Sequence, residues 1–98
     1  MAKRFLHITI HPEGTPPDYE ALQKILDKAP DWIQYAPDCW LVWTSLSARA
    51  WCNRIRPLLH PDDDIFIVVA DFEEYDGFLS RSVWEWIRKY RAKLSAAE

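Results

Sequence analysis

Acidic residues crowd the stretch that follows a short apolar segment. The segment IFIVVA spans residues 65–70, and Asp71, Glu73, Glu74 and Asp76 come directly after it. Carboxylate oxygens are ligands that Mg²⁺ and Mn²⁺ take, and a metal-dependent nuclease needs several of them gathered in space. Charged residues at a strand end also serve simply to keep a loop in water. We favour this second interpretation and expect no metal site here.

The three histidines form no catalytic pattern with their neighbours. His7 lies in an apolar, strand-like segment, His11 lies in the loop that follows it, and His60 stands before a proline. None has a serine, cysteine or aspartate at a spacing typical of a nucleophile and its base. The two glycines are too few for a phosphate-binding loop. We therefore expect no catalytic residues and no cofactor.

One catalytic alternative stays open. A nuclease would combine Asp71 with Glu73 or His11 and would bind Mg²⁺ or Mn²⁺. This set requires that the fold bring the end of the last strand beside the end of the first.

Charge is unevenly distributed along the chain. Residues 1–76 hold 7 basic and 13 acidic residues, whereas the remainder holds 5 basic and 2 acidic ones. The basic part is a predicted helix, on which Arg81, Arg88, Lys89 and Arg91 are candidates for contact with nucleic-acid phosphates. Basic residues also suit the C-terminal end of a helix dipole, so nucleic acid is left open as a partner.

The first third of the chain predicts a strand and a helix. Residues 4–10, RFLHITI, alternate, with leucine and isoleucine facing one way and Phe5 and His7 the other. A proline-rich turn follows, after which Thr15 is the predicted cap of a helix that Pro30 ends.

The rest of the chain predicts a hairpin, a strand and two helices. The strings DWIQY and CWLVWT form an antiparallel hairpin, and Ser47 caps a second helix that stops near Pro57. The run IFIVVA predicts a central strand covered on both faces. Ser80 or Ser82 then caps a third helix, whose apolar stripe consists of Leu79, Val83, Trp86, Ile87, Tyr90 and Leu94.

This order of elements predicts one domain over residues 1–98. It is βαββαβ followed by a helix, which is an α+β, ferredoxin-like arrangement. Its four-stranded antiparallel sheet carries two helices on one face, and the C-terminal helix is an addition.

The second face of the predicted sheet cannot be polar. Trp40 and Trp43 point to opposite faces of their strand, so one of them lies on this second face, near Phe5 and His7. Three covers are conceivable: the C-terminal helix, a second copy of the chain, or single-stranded RNA stacked on the aromatic rings. We take these four residues as the candidate interface of a homodimer.

Several strings resemble a family of small bacterial proteins labelled SinR-like, which are distinct from the helix-turn-helix regulator of that name. They are DYEALQKILDK, WIQYAPDCWLVWTSLSA, RIRPLLHPDDDIFIVVAD and GFLSRSVWEWI. The family is similar in fold to ferredoxin-like CRISPR-adaptation proteins and VapD-type toxins. The resemblance implies a homodimer formed through the sheet and, in some relatives, a metal-dependent nuclease. Those nucleases carry an aspartate at the end of the first strand, where this chain has Thr9, Ile10 and His11.

The sequence thus predicts a small, non-catalytic interaction protein that forms a homodimer and takes no cofactor. Two isolated cysteines in apolar surroundings indicate a reducing compartment, so we expect a cytoplasmic protein. No stretch is long and apolar enough for a membrane span. Besides the nuclease, an acidic inhibitor that binds a host or phage protein stays open as an alternative.

Overall fold

The computed structural model describes residues 2–97, with side chains as far as residue 94. Its elements, in chain order, are β1 (Arg4–His11), α1 (Tyr19–Leu26), β2 (Asp31–Ala36), β3 (Cys39–Thr44), α2 (Ala48–Ile55) with a 3₁₀ turn at Arg56–Leu58, β4 (Asp64–Ala70) and α3 (Arg81–Ala97).

The four strands form one antiparallel sheet in the order β2-β3-β1-β4. With the two crossover helices α1 and α2, this is the predicted α+β, ferredoxin-like layout, and α3 is the predicted C-terminal addition. The expectation that IFIVVA is a central strand is wrong. It is β4, an edge strand that pairs only with β1 among the described strands.

Side-chain caps explain where the first two helices begin. Asp18, rather than the predicted Thr15, caps α1, because its Oδ1 accepts a hydrogen bond from the Ala21 amide at 3.1 Å. Ser47 caps α2 as predicted, with its Oγ accepting from the Ala50 amide at 3.1 Å. Helix α2 gives way to the 3₁₀ turn that contains Pro57.

The first core lies between one face of the sheet and helices α1 and α2. Alternation along β1 sends Leu6, Ile8 and Ile10 into it, as the sequence predicts. Trp40 and Trp51 complete this core, and both rings are fully buried. The Trp51 indole Nε1 donates a hydrogen bond to the Thr44 hydroxyl at 3.1 Å, so this buried donor is satisfied.

The second core lies between the opposite face of the sheet, called here the second face, and α3. Phe5 and Trp43 contact Tyr90 of α3. In a neighbouring cluster, Leu41 contacts Val83 and Ile87. Of the three covers predicted for this face, the C-terminal helix is therefore present. None of the helices between residues 2 and 97 has the length and apolar character needed to cross a membrane.

Candidate functional site

An apolar cleft remains on the second face where α3 does not cover the sheet. It has a volume of about 420 Å³ and is bounded by the sheet, the first half of α3 and the segment of residues 71–80. Leu41, Val68 and Ala70 form its floor, and Trp84 stands on its α3 side. The volume and the lining residues of the cleft are typical of small-molecule pockets, which are mostly apolar and contain a few polar groups at defined positions.

Strand register brings the floor residues together. Phe5 pairs with Ala70 and His7 with Val68 across β1 and β4, so all four side chains share the second face. His7 also pairs with Leu41 of β3. The alternation of β1 thus places a histidine among apolar residues, two positions along from the buried Phe5.

The polar group of the cleft is a pair formed by His7 and Tyr35. His7 Nε2 and the Tyr35 hydroxyl are hydrogen-bonded, and the two rings lie 5.6 Å apart between centroids. Tyr35 comes from the end of β2 and reaches over β3 to β1. Near this pair, Thr9 Oγ1 and Cys39 Sγ lie 3.7 Å apart. A short run of hydroxyl, thiol and imidazole groups therefore crosses the strands.

Burial disfavours the charged form of both members of the pair. Burial lowers the pKa of His7 below its usual value of 6.5, since desolvation disfavours the imidazolium. Burial, and next the neighbouring Cys39 thiol, raises the pKa of Tyr35 to about 12. The cleft consequently offers hydrogen bonds without offering a full charge at its base.

The segment of residues 71–80 forms the outer rim. Phe72 packs edge-on against Phe5 at 4.7 Å between centroids, which ties this segment to the second core. Tyr75 lies 6.0 Å from Trp84 on the same measure. Gly77 adopts a φ of 154°, a conformation that residues with a Cβ avoid. The rim is thus shaped by aromatic contacts and by one glycine.

The structure separates the residues of the nuclease alternative. His11 pairs with Asp64 at one end of β4, whereas Asp71 and Glu73 follow the other end. Seven residues of extended chain separate the two ends by roughly 20 Å. Within the described residues, no group of three His, Cys, Asp or Glu side chains is placed to hold a metal ion. The nuclease stays a prediction without an assembled ligand set.

The predicted interface residues are mostly enclosed by their own chain. Trp40 lies in the first core, and Phe5 and Trp43 lie beneath α3 on the second face. This settles which tryptophan occupies which face. His7, at the cleft, is the one member of the set that is only partly buried.

The basic residues predicted to meet phosphates largely have partners within the chain. Arg81 pairs with Glu85 at 3.0 Å between Nε and Oε1. Lys89 lies over the Tyr90 ring and Arg91 over the Tyr75 ring, at 5.2 and 5.5 Å from the centroids. Such exposed cation–π contacts are worth about 0.5–1 kcal/mol, so a phosphate can displace them. Arg88 is exposed on the same helix.

Comparison with protein-family models, characterised proteins and solved structures finds no match for this chain. The resemblance to SinR-like proteins therefore stays a prediction.

Sequence reasoning missed the cleft because its walls come from distant parts of the chain. Tyr35, Leu79 and Trp84 each contribute to it, and each has an ordinary structural explanation when taken alone. His7 was placed on the correct face by alternation. The signal available in the sequence was a histidine on an otherwise apolar strand together with a tyrosine at the end of a neighbouring one.

Proposed function

We propose that the protein is a non-catalytic interaction protein that forms a homodimer through its exposed edge strand. The observation that carries the proposal is a set of exposed apolar side chains along β4, called here the β4 patch: Phe66, Val68 and Val69, with exposed fractions of 63%, 41% and 43%. Phe66 and Val68 lie on the second face and Val69 on the opposite one, so the patch follows the edge of the sheet. Large exposed apolar patches on small proteins usually mark interaction sites.

The unpaired edge of β4 supports the same proposal. An edge strand presents free backbone N–H and C=O groups, and natural proteins usually protect such edges with lysine, proline or a bulge. The strand Asp64–Ala70 contains neither lysine nor proline, and its pairing with β1 is regular. An unprotected apolar edge favours pairing with another strand.

The sequence of β4 suits pairing with a second copy of itself. An antiparallel pair centred on Ile67 would set Phe66 opposite the partner's Val68 and Ile65 opposite the partner's Val69. Both faces of the junction would then be apolar, and the two sheets would continue as one. Cross-strand pairs of this type each contribute roughly 0.2–1 kcal/mol.

This contact differs from the interface expected from the sequence. Phe5 and Trp43 would not touch the partner. Their role in the dimer would be indirect, because they hold α3 on the second face. The two cysteines are free, which suits a reducing compartment. We accordingly extend the proposal to a cytoplasmic protein.

Light scattering coupled to size exclusion, repeated over a range of micromolar concentrations, tests the dimer. We expect the mass of a dimer for the wild-type chain. Phe66→Lys and Val69→Lys each place a charge on the proposed junction, from opposite faces of the sheet, and each should shift the mass towards the monomer.

Phe78→Ser is the matched control. Phe78 is a large apolar residue that is fully exposed but lies outside β4, so its loss should leave the dimer unchanged. A wild-type monomer throughout the concentration range would refute the proposal. A dimer that persists in both lysine variants but is lost in Phe78→Ser would move the interface to the segment of residues 71–80.

A further inference from the structure

The cleft on the second face has the properties of a ligand site, and of the β4 patch it includes Val68 alone. It joins a floor of aliphatic side chains to one hydrogen-bonding pair, and aromatic rings stand at its sides. Its volume of about 420 Å³ falls in the range of pockets that hold small organic molecules.

The charges around the cleft limit what can occupy it. Asp76, at the rim, is the one acidic residue among the described residues that line the cleft, and none of them is a lysine or arginine that could receive an anion. Moving an ionised group onto an apolar floor without a partner is costly, and a carboxylate there would also face Asp76. An occupant without charge avoids both costs.

The His7–Tyr35 pair limits the polar part of the occupant. His7 Nε2 is engaged with the Tyr35 hydroxyl, whereas His7 Nδ1 makes no hydrogen bond with the described residues. A half-buried imidazole nitrogen left in this way gains from a ligand atom that completes its hydrogen bonding. A single hydroxyl or carbonyl on the ligand is enough.

We propose that this cleft binds a small, uncharged, predominantly aromatic molecule that carries one hydroxyl or carbonyl group. The ring system lies between Val68 and Trp84, and its polar atom bonds to His7. Binding requires neither a metal nor a chemical step.

Three related probes test the chemistry of the site. 1-Naphthol has an aromatic body and one hydroxyl, naphthalene lacks the hydroxyl, and 1-naphthoate replaces it with a carboxylate. Titration against the wild-type protein, followed by tryptophan fluorescence and by calorimetry, should give the tightest binding for 1-naphthol. Naphthalene should bind about three- to tenfold more weakly, the equivalent of one hydrogen bond, and 1-naphthoate should bind most weakly.

Two variants test the place of binding. Val68→Trp fills the floor of the cleft and should abolish binding of 1-naphthol. Tyr35→Phe removes the hydroxyl that holds His7 and should weaken 1-naphthol by about three- to tenfold while leaving naphthalene unchanged. Phe78→Ser is the control that should bind like the wild type, and circular dichroism verifies that each variant is folded.

Several results would overturn the proposal. They are no binding of 1-naphthol up to its solubility limit, equal binding of 1-naphthoate, or unchanged binding in a folded Val68→Trp protein. Affinity that falls as protein concentration rises would show instead that a second copy covers the cleft. Repeating the titration on Phe66→Lys separates the two proposals, because that residue lies outside the cleft and its change should leave 1-naphthol binding intact.

Discussion

The buried indole N–H groups of Trp51 and Trp86 differ in their hydrogen bonding. Trp51 Nε1 donates to Thr44 Oγ1 inside the first core, whereas Trp86 Nε1 is buried without a hydrogen-bond acceptor. A buried donor that lost its water and found no acceptor carries a desolvation penalty of about 1–3 kcal/mol. The same chemical group is thus stabilising at one position and destabilising at the other.

Replacement by phenylalanine should reveal this difference. We expect Trp51→Phe to lower the free energy of unfolding by at least about 1 kcal/mol more than Trp86→Phe, since only the first change removes a buried hydrogen bond. Urea unfolding of both variants measures the two values side by side. Equal losses would mean that Trp86 Nε1 is bonded to an ordered water molecule.

The desolvated His7 should make stability depend on pH. Burial lowers its pKa in the folded state below 6.5, so the unfolded chain binds more protons between these two pKa values. Above pH 6.5, His7 is deprotonated in both the folded and the unfolded chain and does not make stability depend on pH. Below pH 6.5, the unfolded chain takes up a proton first, so the free energy of unfolding falls as the pH drops. The measurement is urea unfolding from pH 7.5 to 5, compared between wild type and His7→Gln.

The variant supplies the control for this dependence. Other ionisable groups contribute equally to both proteins, so the difference between the two curves isolates His7. We expect the wild type to lose more stability than His7→Gln as the pH falls through this window. Parallel curves would show that the imidazole is as well hydrated in the folded protein as in the unfolded one.

For single residues, the sequence predicts well which face of the sheet a side chain occupies, but it predicts poorly which other side chain it contacts. Alternation places Phe5 and His7 together on the second face, which the structure confirms. Tyr35 could not be matched to His7, because the register of β2 shifts between Gln34 and Ala36. A bulge of this kind leaves one residue unpaired and re-aims its side chain, and no local pattern specifies what that side chain then meets.

The C-terminal helix shows what helical spacing can predict. Its apolar stripe is expected to be buried, and Val83, Ile87 and Tyr90 are buried against the sheet. Two members of the predicted stripe differ, because Leu94 is exposed and Leu79 precedes the helix. The sequence left three covers open for that face, because an apolar stripe needs a partner surface but does not name it. Which surface the stripe packs against depends on the strand register and on the short connections between elements, and these are visible only in the folded structure.

Truncation of the stripe should measure how firmly α3 is docked. Ile87 is fully buried, and Ile87→Ala should lower the free energy of unfolding by about 2–5 kcal/mol, through lost apolar contact and a residual cavity. Leu94→Ala, on the same stripe but with an exposed fraction of 36%, is the matched control and should cost less. Similar small losses for both would indicate that α3 docks only weakly.

For strand β4, the pattern of apolar residues predicts the wrong position in the sheet. A continuous apolar run is typical of a strand covered on both faces, yet β4 lies at the edge of the sheet with Phe66, Val68 and Val69 exposed. The same composition suits a strand buried within one chain and a strand buried between two chains. The sequence therefore shows that this strand is apolar but not whether its own chain covers it.

Across the whole molecule, acidic residues stand at both ends of the apolar edge. Asp63 precedes β4 and Asp71 follows it. Antiparallel self-pairing centred on Ile67 would set each Asp63 opposite the partner's Asp71, so that two pairs of like charges oppose the dimer. Exposed charge pairs contribute roughly 0.2–1 kcal/mol each, and salt screens them over about 10 Å at 0.1 M.

The proposed dimer should therefore tighten as salt is added. We expect the association constant to rise by about two- to tenfold between low salt and 0.5 M, on the basis of two screened repulsions. Analytical ultracentrifugation at several salt concentrations measures it. Asp71→Asn should strengthen the dimer at low salt and reduce the dependence, whereas Glu20→Gln, an equal change of charge on α1, should do neither.

The sign of this dependence distinguishes self-association through β4 from binding of nucleic acid. Binding of nucleic acid by Arg88 and its neighbours on α3 would release counterions, so its affinity must fall steeply as salt rises. Apolar pairing between acidic-ended strands must change in the opposite direction. A self-association that weakens with salt would instead place the basic face of α3 against the acidic residues of a second copy, and would exclude pairing centred on β4.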